Sequence, residues 1–133
     1  MNIFDTTTGN SDAATAVAQA LALATKNEAG SPLGSAQERA FADTAQAMRL
    51  SLSDVQSSSA AGAAVQIARA FELFRAGWID GTYIREEDRD ADAQAIDRLL
   101  QSALAGLRCD LDAEALAVLD GAFGDLNFAT VTQ

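Results

Sequence analysis

Residues 71–98, FELFRAGWIDGTYIREEDRDADAQAIDR, decide how this chain folds. The stretch contains the only tryptophan, Trp78, the only tyrosine, Tyr83, and the densest run of acidic residues. Alanine-rich sequence with helical periodicity lies on both sides of it. Because a glycine-containing turn separates an apolar pattern from an acidic one, one helix is expected to end within this stretch and another to begin.

The helix that leads into the stretch has an apolar face whose large residues are spaced by four, three and four positions: Ile67, Phe71, Phe74 and Trp78. This repeat is typical of one face of an α-helix and predicts that the face is buried. Gly77 is expected to end the helix in a left-handed conformation, with Trp78 packing on Leu73. Truncation of Phe71 to alanine is then expected to cost about 3–5 kcal/mol.

A turn and a new helix follow. Asp80-Gly81 is a turn dipeptide, and a compact helix-to-helix connection is expected because few residues remain to pair as a hairpin. The next helix begins with Glu86, Glu87 and Asp88, whose carboxylates favour the positive end of the helix dipole.

The composition predicts an all-α protein. Nearly half of the 133 residues are apolar, aromatic residues make up only 6%, and there is a single proline. Alanine has the highest helix propensity, whereas the aromatic and β-branched residues that strands prefer are scarce. We expect one domain spanning residues 1–133, a compact bundle of about five helices with short connections. Residues 1–10 and 127–133 are expected to be extended or mobile.

Local signals predict where the other helices begin and end. Ser11 is a candidate N-cap for the first helix, and Ser35 and Glu38 form a capping box for the second. Serines within residues 57–60 predict a break between the second and third helices. Asp112 is the predicted N-cap of the fifth.

The apolar positions of these helices predict which faces are buried. In the fourth helix they are Ile96, Leu99, Leu100, Ala103, Leu104 and Leu107; in the fifth they are Leu116, Leu119, Phe123 and Leu126. In the second helix a two-heptad pattern comprises Phe41, Ala45, Met48, Leu52 and Val55. An ordinary core face is the preferred interpretation of this pattern, because a coiled coil needs three or four heptads. Self-association through it is the alternative.

Several kinds of chemistry lack the residues they need. The chain has no histidine and one cysteine, Cys109, so it has no histidine general base, no histidine-assisted nucleophile and no multi-thiolate metal site. The acidic run from Asp88 resembles a calcium loop only superficially, because Ala93 and Leu99 stand where glycine and glutamate are required. Phosphate-binding and nucleophile-elbow motifs are missing. We therefore predict no catalytic residue, no metal site and no cofactor.

The net charge of −10 comes from two segments. Residues 86–97 have six acids and one arginine, and residues 109–133 have five acids and no base, so each contributes −5. Direct binding to nucleic acid or to an anionic membrane is not expected, since both need clusters of lysine and arginine. No secretory signal or membrane-spanning segment is recognisable, so a cytoplasmic location is expected.

A small acidic interaction protein is the leading hypothesis: one that binds and inhibits or chaperones a basic partner protein. Immunity proteins, phage-encoded inhibitors and assembly chaperones fit this description, and the alanine- and arginine-rich composition suggests a bacterial or phage genome. The alternative is a self-associating structural subunit, with contacts through Phe41, Met48, Leu52 and Val55; an enzyme or small-ligand binder is less favoured. The predicted partner-binding residues are Trp78, Asp80, Tyr83, Glu86, Glu87, Asp88, Asp90 and Asp92.

Overall fold

A computed structural model describes residues 12–81 and 85–123 of the chain. These residues form five α-helices and no strand, which confirms the all-α prediction. The helices are α1 (Ala13–Ala29), α2 (Ala36–Ser51), α3 (Ala60–Phe74), α4 (Glu86–Arg108) and α5 (Ala113–Phe123), and a π-helical turn, Arg75–Ile79, continues α3. The expected extended segments, 1–10 and 127–133, lie outside the described residues.

The first four helices form two packed pairs. The most extensive packing joins α3 to α4 and α1 to α2, and α1 also contacts α3. Hydrogen bonds near the start of α3 reach the end of α4: the Ser57 amide donates to Ser102 Oγ at 2.9 Å, and the Ala60 amide to Asp110 Oδ2 at 2.8 Å. Helices α3 and α4 are therefore antiparallel neighbours.

Alanine makes up most of the core. Among the described apolar residues with large side chains, only Leu52 and Leu99 are buried, with 2% and 0% of their surface accessible. Both belong to the central cluster, which they form with Ala14 and Ala70. The remaining buried apolar residues are Ala24, Ala45, Ala63, Ala103 and Ala105. Small side chains let helix backbones approach closely, so packing here depends on short interhelical distances.

The apolar pattern of α2 faces this core. Ala45 and Leu52 are buried, while Phe41, Met48 and Val55 are partly buried, as expected of an ordinary core face. Self-association through Phe41, Met48, Leu52 and Val55 stays a prediction, although Leu52 is already enclosed within its own chain.

The predicted core face of α3 is wrong. Its large residues, Ile67, Phe71, Phe74 and Trp78, are 41% to 56% exposed. The inward positions are occupied instead by Gly62, Ala63, Gln66 and Ala70, with Gly77 buried in the π-helical turn. Apart from Gln66 these inward residues are small, in keeping with the extensive packing of α3 against α4.

The predicted glycine ending of α3 is also wrong. Gly77 does not adopt a left-handed conformation, because the helix widens into the π-helical turn, in which the Asp80 amide donates to the Arg75 carbonyl at 2.8 Å. Gly81, with φ of +65°, makes the turn after it. The Trp78 ring stacks on Phe74, one helical turn earlier, where packing of Trp78 on Leu73 was predicted.

Helix α4 begins at Glu86 as predicted, but its buried face is rotated. Leu99 and Ala103 are buried, whereas Leu100 is 41% exposed. Ser102 and Gly106 are buried in its place. Gly106 lies so close to the connection between α2 and α3 that a Cβ atom there would be 2.7 Å from Ser57 Cβ.

The fifth helix, Ala113–Phe123, has no buried residue, contrary to the buried face predicted for it. Leu116 and Leu119 are partly buried, and Phe123 is 55% exposed. A bidentate ion pair between Arg108 and Asp120, at 2.6 and 3.3 Å, links α5 to the end of α4. Leu126, the fourth residue of the predicted face, lies outside the described residues.

Most of the predicted helix caps are present. Ser35 Oγ accepts from the Glu38 amide at 3.0 Å, but the Glu38 carboxylate accepts from Gly34 because the Ser35 amide already donates to Pro32. Asp112 caps α5 as predicted. The predicted break in residues 57–60 lies between the end of α2 and the start of α3. For α1 the observed cap is Asp12 rather than Ser11, which lies outside the described residues.

We expect Leu99→Ala and Phe71→Ala to differ strongly in their effect on stability. Leu99 is fully buried, so its truncation is expected to lower the free energy of unfolding by about 2–5 kcal/mol. Phe71 is 56% exposed, so its truncation is expected to cost less than about 1 kcal/mol. Urea unfolding in dilute solution measures both values, and an equal loss from the two substitutions would show that Phe71 belongs to the core.

Candidate interaction surface

A buried carboxylate, that of Asp12, joins the starts of two helices. Only 6% of Asp12 is exposed. Its Oδ1 accepts from the Thr15 amide at 2.8 Å and caps α1, while its Oδ2 accepts from the Ser58 amide at 2.9 Å and from Ser59 Oγ at 3.0 Å. Ser59 in turn caps α3 by accepting from the Gly62 amide. The start of α1 is thereby fixed against the start of α3.

A second set of buried polar side chains holds the connection between α2 and α3. The fully buried Gln66 donates from Nε2 to the Leu52 and Val55 carbonyls, at 3.0 and 2.9 Å, and accepts from Ser57 Oγ. Ser102 of α4 donates to the Val55 carbonyl at 3.2 Å. In the described residues every buried side-chain nitrogen or oxygen has a hydrogen-bond partner. The network is therefore satisfied, and each broken bond would leave a buried polar group unpaired.

These bonds determine which side of α3 faces outward. Gln66 points inward, and one residue further along a helix lies about 100° around its axis. Three of the four large outward residues directly follow a buried one: Ile67 follows Gln66, Phe71 follows Ala70, and Trp78 follows Gly77. The fourth, Phe74, follows Leu73, which is partly buried. The polar contacts of Gln66 thus place the large apolar side chains on the surface.

The outward face extends the apolar repeat to the start of α3. Two exposed alanines precede Ile67 at the same spacing, so the spacings are four, three, four, three and four, and we refer to these six exposed residues as the α3 seam: Ala60, Ala64, Ile67, Phe71, Phe74 and Trp78. Its four large residues together expose roughly 400 Å² of apolar surface, comparable to the largest patch on a typical monomer. Patches of this size mark interaction sites more often than isolated exposed residues do.

Ring contacts order the aromatic end of the seam. The Phe74 and Trp78 rings stack with their centroids 5.9 Å apart and their planes at 12°. The Arg75 guanidinium lies 5.7 Å from the centroid of the Phe71 ring, within cation–π range. The stacking keeps Trp78 on the same side as Phe74 despite the π-helical turn. Short π-helical segments within α-helices often occur at functional sites.

Beside the aromatic end lies a cluster of carboxylates, which we refer to as the acidic tip: Asp80, Glu86, Glu87, Asp88, Asp90 and Asp92. All are exposed except Asp92, which is partly buried. Because α4 is antiparallel to α3, its first turn lies at the Trp78 end of the seam. The structure therefore brings together the predicted residues, save Tyr83, which lies outside the described residues.

Two arginines reduce the charge of the acidic tip without cancelling it. Arg85 Nε is 3.5 Å from Glu87 and 3.4 Å from Asp88, and Arg89 is 3.8 Å from Glu86. Six carboxylates and two guanidinium groups leave a charge of −4. Exposed pairs of this kind contribute little to stability, about 0–1 kcal/mol each, so the carboxylates can exchange them for the cations of a partner.

The described surface has two small depressions and one larger one. A polar cleft of about 290 Å³ separates the α2–α3 connection from α4 and is lined in part by Asp54, Arg98 and Gln101. An apolar groove of about 310 Å³ between α1 and α3 is lined by Leu21, Ala64 and Ala68, among others. Both are at the lower end of the size range of ligand sites. The third depression, of about 580 Å³, lies along α5 and is lined in part by Leu111, Val118 and Phe123.

Residues 12–81 and 85–123 contain no group of three or more histidine, cysteine, aspartate or glutamate side chains that could hold a metal ion. Over the same residues, no helix has the length and apolar character needed to cross a membrane.

Asp12 is the buried group whose titration matters most for the fold. Burial by itself raises the pKa of Asp12, but hydrogen bonds from the Thr15 and Ser58 amides and from the Ser59 hydroxyl outweigh that effect and hold the pKa below its ordinary value of 3.8. Because the folded-state pKa is the lower one, the ionised carboxylate stabilises the fold fully above pH 3.8 and progressively loses that contribution as the pH falls through the folded-state pKa.

We expect Asp12→Asn to lower the free energy of unfolding by about 1–3 kcal/mol at neutral pH, because an amide nitrogen would face the Ser58 N–H. The difference from the unsubstituted protein is expected to be constant above about pH 5 and to shrink as the pH falls below 3.8. Urea unfolding across this pH range measures it. Asp112→Asn, which affects a single exposed cap, is the control and is expected to change stability by less than about 1 kcal/mol. A pH-independent difference at Asp12 would contradict the assigned ionisation.

Sequence reasoning missed the residues that orient the surface: Asp12, Gln66 and Ser102. Their partners are up to 47 positions away, so no local pattern identifies them. A usable signal was present in α3, where a glutamine and several small residues share one face while the large apolar residues share another.

Comparison with protein-family models, curated proteins and solved structures finds no match to this chain.

Proposed function

We propose that this chain is a non-enzymatic interaction protein that binds a basic partner protein. The observation that carries the proposal is the distribution of apolar side chains by size. Alanine fills most of the core, whereas Ile67, Phe71, Phe74 and Trp78 lie on the surface. Exposing large aromatic residues costs solubility and gives no packing energy, so their placement is best explained by a surface that another protein covers.

Charge supports a basic partner. The acidic tip has a net charge of −4 and adjoins the aromatic end of the seam, in a chain whose total charge is −10. A partner with clustered lysine and arginine would be attracted to this region before contact, which raises the association rate. Once the partner has docked, its lysine and arginine side chains would replace Arg85 and Arg89 in these weak, exposed ion pairs.

The residue inventory supports binding over catalysis. The whole chain has no histidine and a single cysteine, so the commonest acid–base and nucleophilic arrangements have no residues to build them. The proposed role is that of an immunity-type protein, a phage-encoded inhibitor or an assembly chaperone, acting in the cytoplasm. A self-associating subunit is the second candidate, and the exposed α3 seam favours it.

The proposal is tested by capturing partners from host extract and measuring their binding kinetics by surface plasmon resonance. Reversal of Glu86, Glu87 and Asp90 to lysine is expected to slow association severalfold at low salt and to flatten its dependence on salt, because steering acts at long range. The tip residues are exposed, so the fold is expected to remain. Tyr83→Ala is expected to act mainly on dissociation, by about 1–2 kcal/mol if Tyr83 is an anchor.

A matched control reverses three exposed acids away from the tip: Asp43, Asp54 and Glu114. It changes the net charge by the same amount and removes an acid from a helix start, as the test variant does. Its effect on association is expected to be clearly smaller. Equal effects of the two variants would show that total charge, not the acidic tip, attracts the partner. Unchanged kinetics with the tip variant would contradict the proposed binding region.

A further inference from the structure

We propose that the N-terminal arm of this chain, residues 1–11, docks in the apolar groove between α1 and α3, with the Phe4 side chain inserted into the groove. The arm lies outside the described residues, whereas the groove lies within them. The inference does not rest on the proposed function, because the groove and the acidic tip have no residue in common.

The α1–α3 groove is open and apolar, and it reaches the core. Its walls are formed in part by Ala18 and Leu21 of α1 and by Ala64 and Ala68 of α3, and both α3 alanines are exposed. Leu52, a member of the central cluster, also lines the groove. An apolar side chain inserted here would therefore extend the central cluster between α1 and α3.

The two helices that form the groove run side by side in the same direction. Asp12 contacts Ser59, so the starts of α1 and α3 adjoin. Ala18 is six residues beyond Asp12, Val65 is six residues beyond Ser59, and both line the groove. The groove therefore lies close to the point where the arm joins α1, and it leads away from that point along both helices.

The arm is long enough to return along the groove. Ala18 and Leu21 lie about 9 and 14 Å along α1 from Asp12, at 1.5 Å per residue. Phe4 precedes Asp12 by eight residues, which an extended chain can spread over about 26 Å. The arm can therefore reverse its direction at the start of α1 and still bring Phe4 to the groove.

The sequence of the arm has turn-forming residues where this reversal is needed. Gly9 and Asn10, which come just before α1, are residue types that favour turns. From Thr8 back to Phe4 an extended chain covers about 13 Å. A reversal at residues 9 and 10 thus sets Phe4 at the level of Leu21.

The alternation of side chains along an extended segment suits the groove. Phe4 and Thr6 point to one side of such a segment, and Ile3 and Asp5 point to the other. Insertion of Phe4 brings an aromatic side chain, which can bury about 150–250 Å², into a core that consists mostly of alanine. Asp5 then faces solvent, so no charge is buried.

Tethering favours the arm over a segment of another protein. A short linker holds the second binding element at an effective concentration on the order of millimolar. The arm joins α1 within two helical turns of the groove, so it meets this condition. A separate protein would have to offset the loss of its translational freedom as well.

Urea unfolding of the full chain tests whether Phe4 is part of the core. Phe4→Ala is expected to lower the ratio of folded to unfolded protein at least about tenfold, because it removes a buried aromatic side chain. Leu33→Ala, in the loop between α1 and α2, is the control, since Leu33 is 95% exposed and its truncation is expected to leave the ratio nearly unchanged. Equal effects of the two substitutions would overturn the inference.

Disulfide formation under mild oxidation tests the position of the arm in a Cys109→Ser background. Thr6→Cys keeps Phe4 in place and is combined with Ala64→Cys, in the groove, or with Ala16→Cys, in the first turn of α1. Ala16 is exposed, and it lies two residues before Ala18 and therefore on the opposite side of α1 from the groove. Peptide mapping by mass spectrometry identifies each link.

The docked arm is expected to link to Ala64→Cys faster than to Ala16→Cys. An undocked arm has the opposite preference, because Ala16 is only ten residues from Thr6 and the shorter loop closes more readily. Equal rates, or faster linking to Ala16→Cys, would overturn the inference. Links between two chains, seen as dimers on non-reducing gels, would assign the groove to the arm of a second copy and would also overturn it.

Discussion

The Asp12 carboxylate is the contact on which the arrangement of the other helices depends. It caps α1 directly and α3 through Ser59, two helices whose starts are 47 residues apart in the chain. A buried ionised carboxylate is stable only when its oxygens accept enough hydrogen bonds, and here they accept three. Gly62 is part of the same constraint, because a Cβ atom at that position would collide with the carboxylate. Once the start of α3 is fixed, Gln66 and its carbonyl partners fix the rotation of the helix.

An alanine core follows from this geometry and has a consequence for the surface. The buried positions of α3 and its π-helical turn are small residues apart from Gln66, and the larger apolar residues of α3 face away from the core. Each alanine contributes little apolar burial, and the hydrogen bonds of Asp12, Gln66 and Ser102 add specificity to packing that small apolar residues alone would leave undetermined. Most domains bury large apolar residues to stabilise a core. In this chain the large apolar residues of α3 are instead available for contact with other proteins.

The sequence was informative where structure is decided by neighbouring residues. Helix content, the caps at Ser35 and Asp112, the break before α3 and the start of α4 were predicted because each depends on residues a few positions apart. The face of α3 was predicted incorrectly, since periodicity identifies an apolar stripe but not whether it points inward. That choice is made by Gln66 together with Asp12 and Ser102, and the contacts of Asp12 and Ser102 with the α2–α3 connection span more than 40 residues. The acidic tip was found from composition, whereas its position beside the aromatic end of the seam depends on the antiparallel packing of α3 and α4.

Acrylamide quenching of the single tryptophan, with and without a captured partner protein, tests most directly the claim that the large residues of α3 form an external contact surface. Trp78 is the only tryptophan, so its fluorescence reports on the aromatic end of the seam alone. A neutral quencher avoids repulsion by the acidic tip. The account predicts efficient quenching of the protein alone in dilute solution, because Trp78 is 41% exposed, and protection when a partner protein covers the seam. A tryptophan that is already protected in the protein alone would place Trp78 inside the fold and contradict the account.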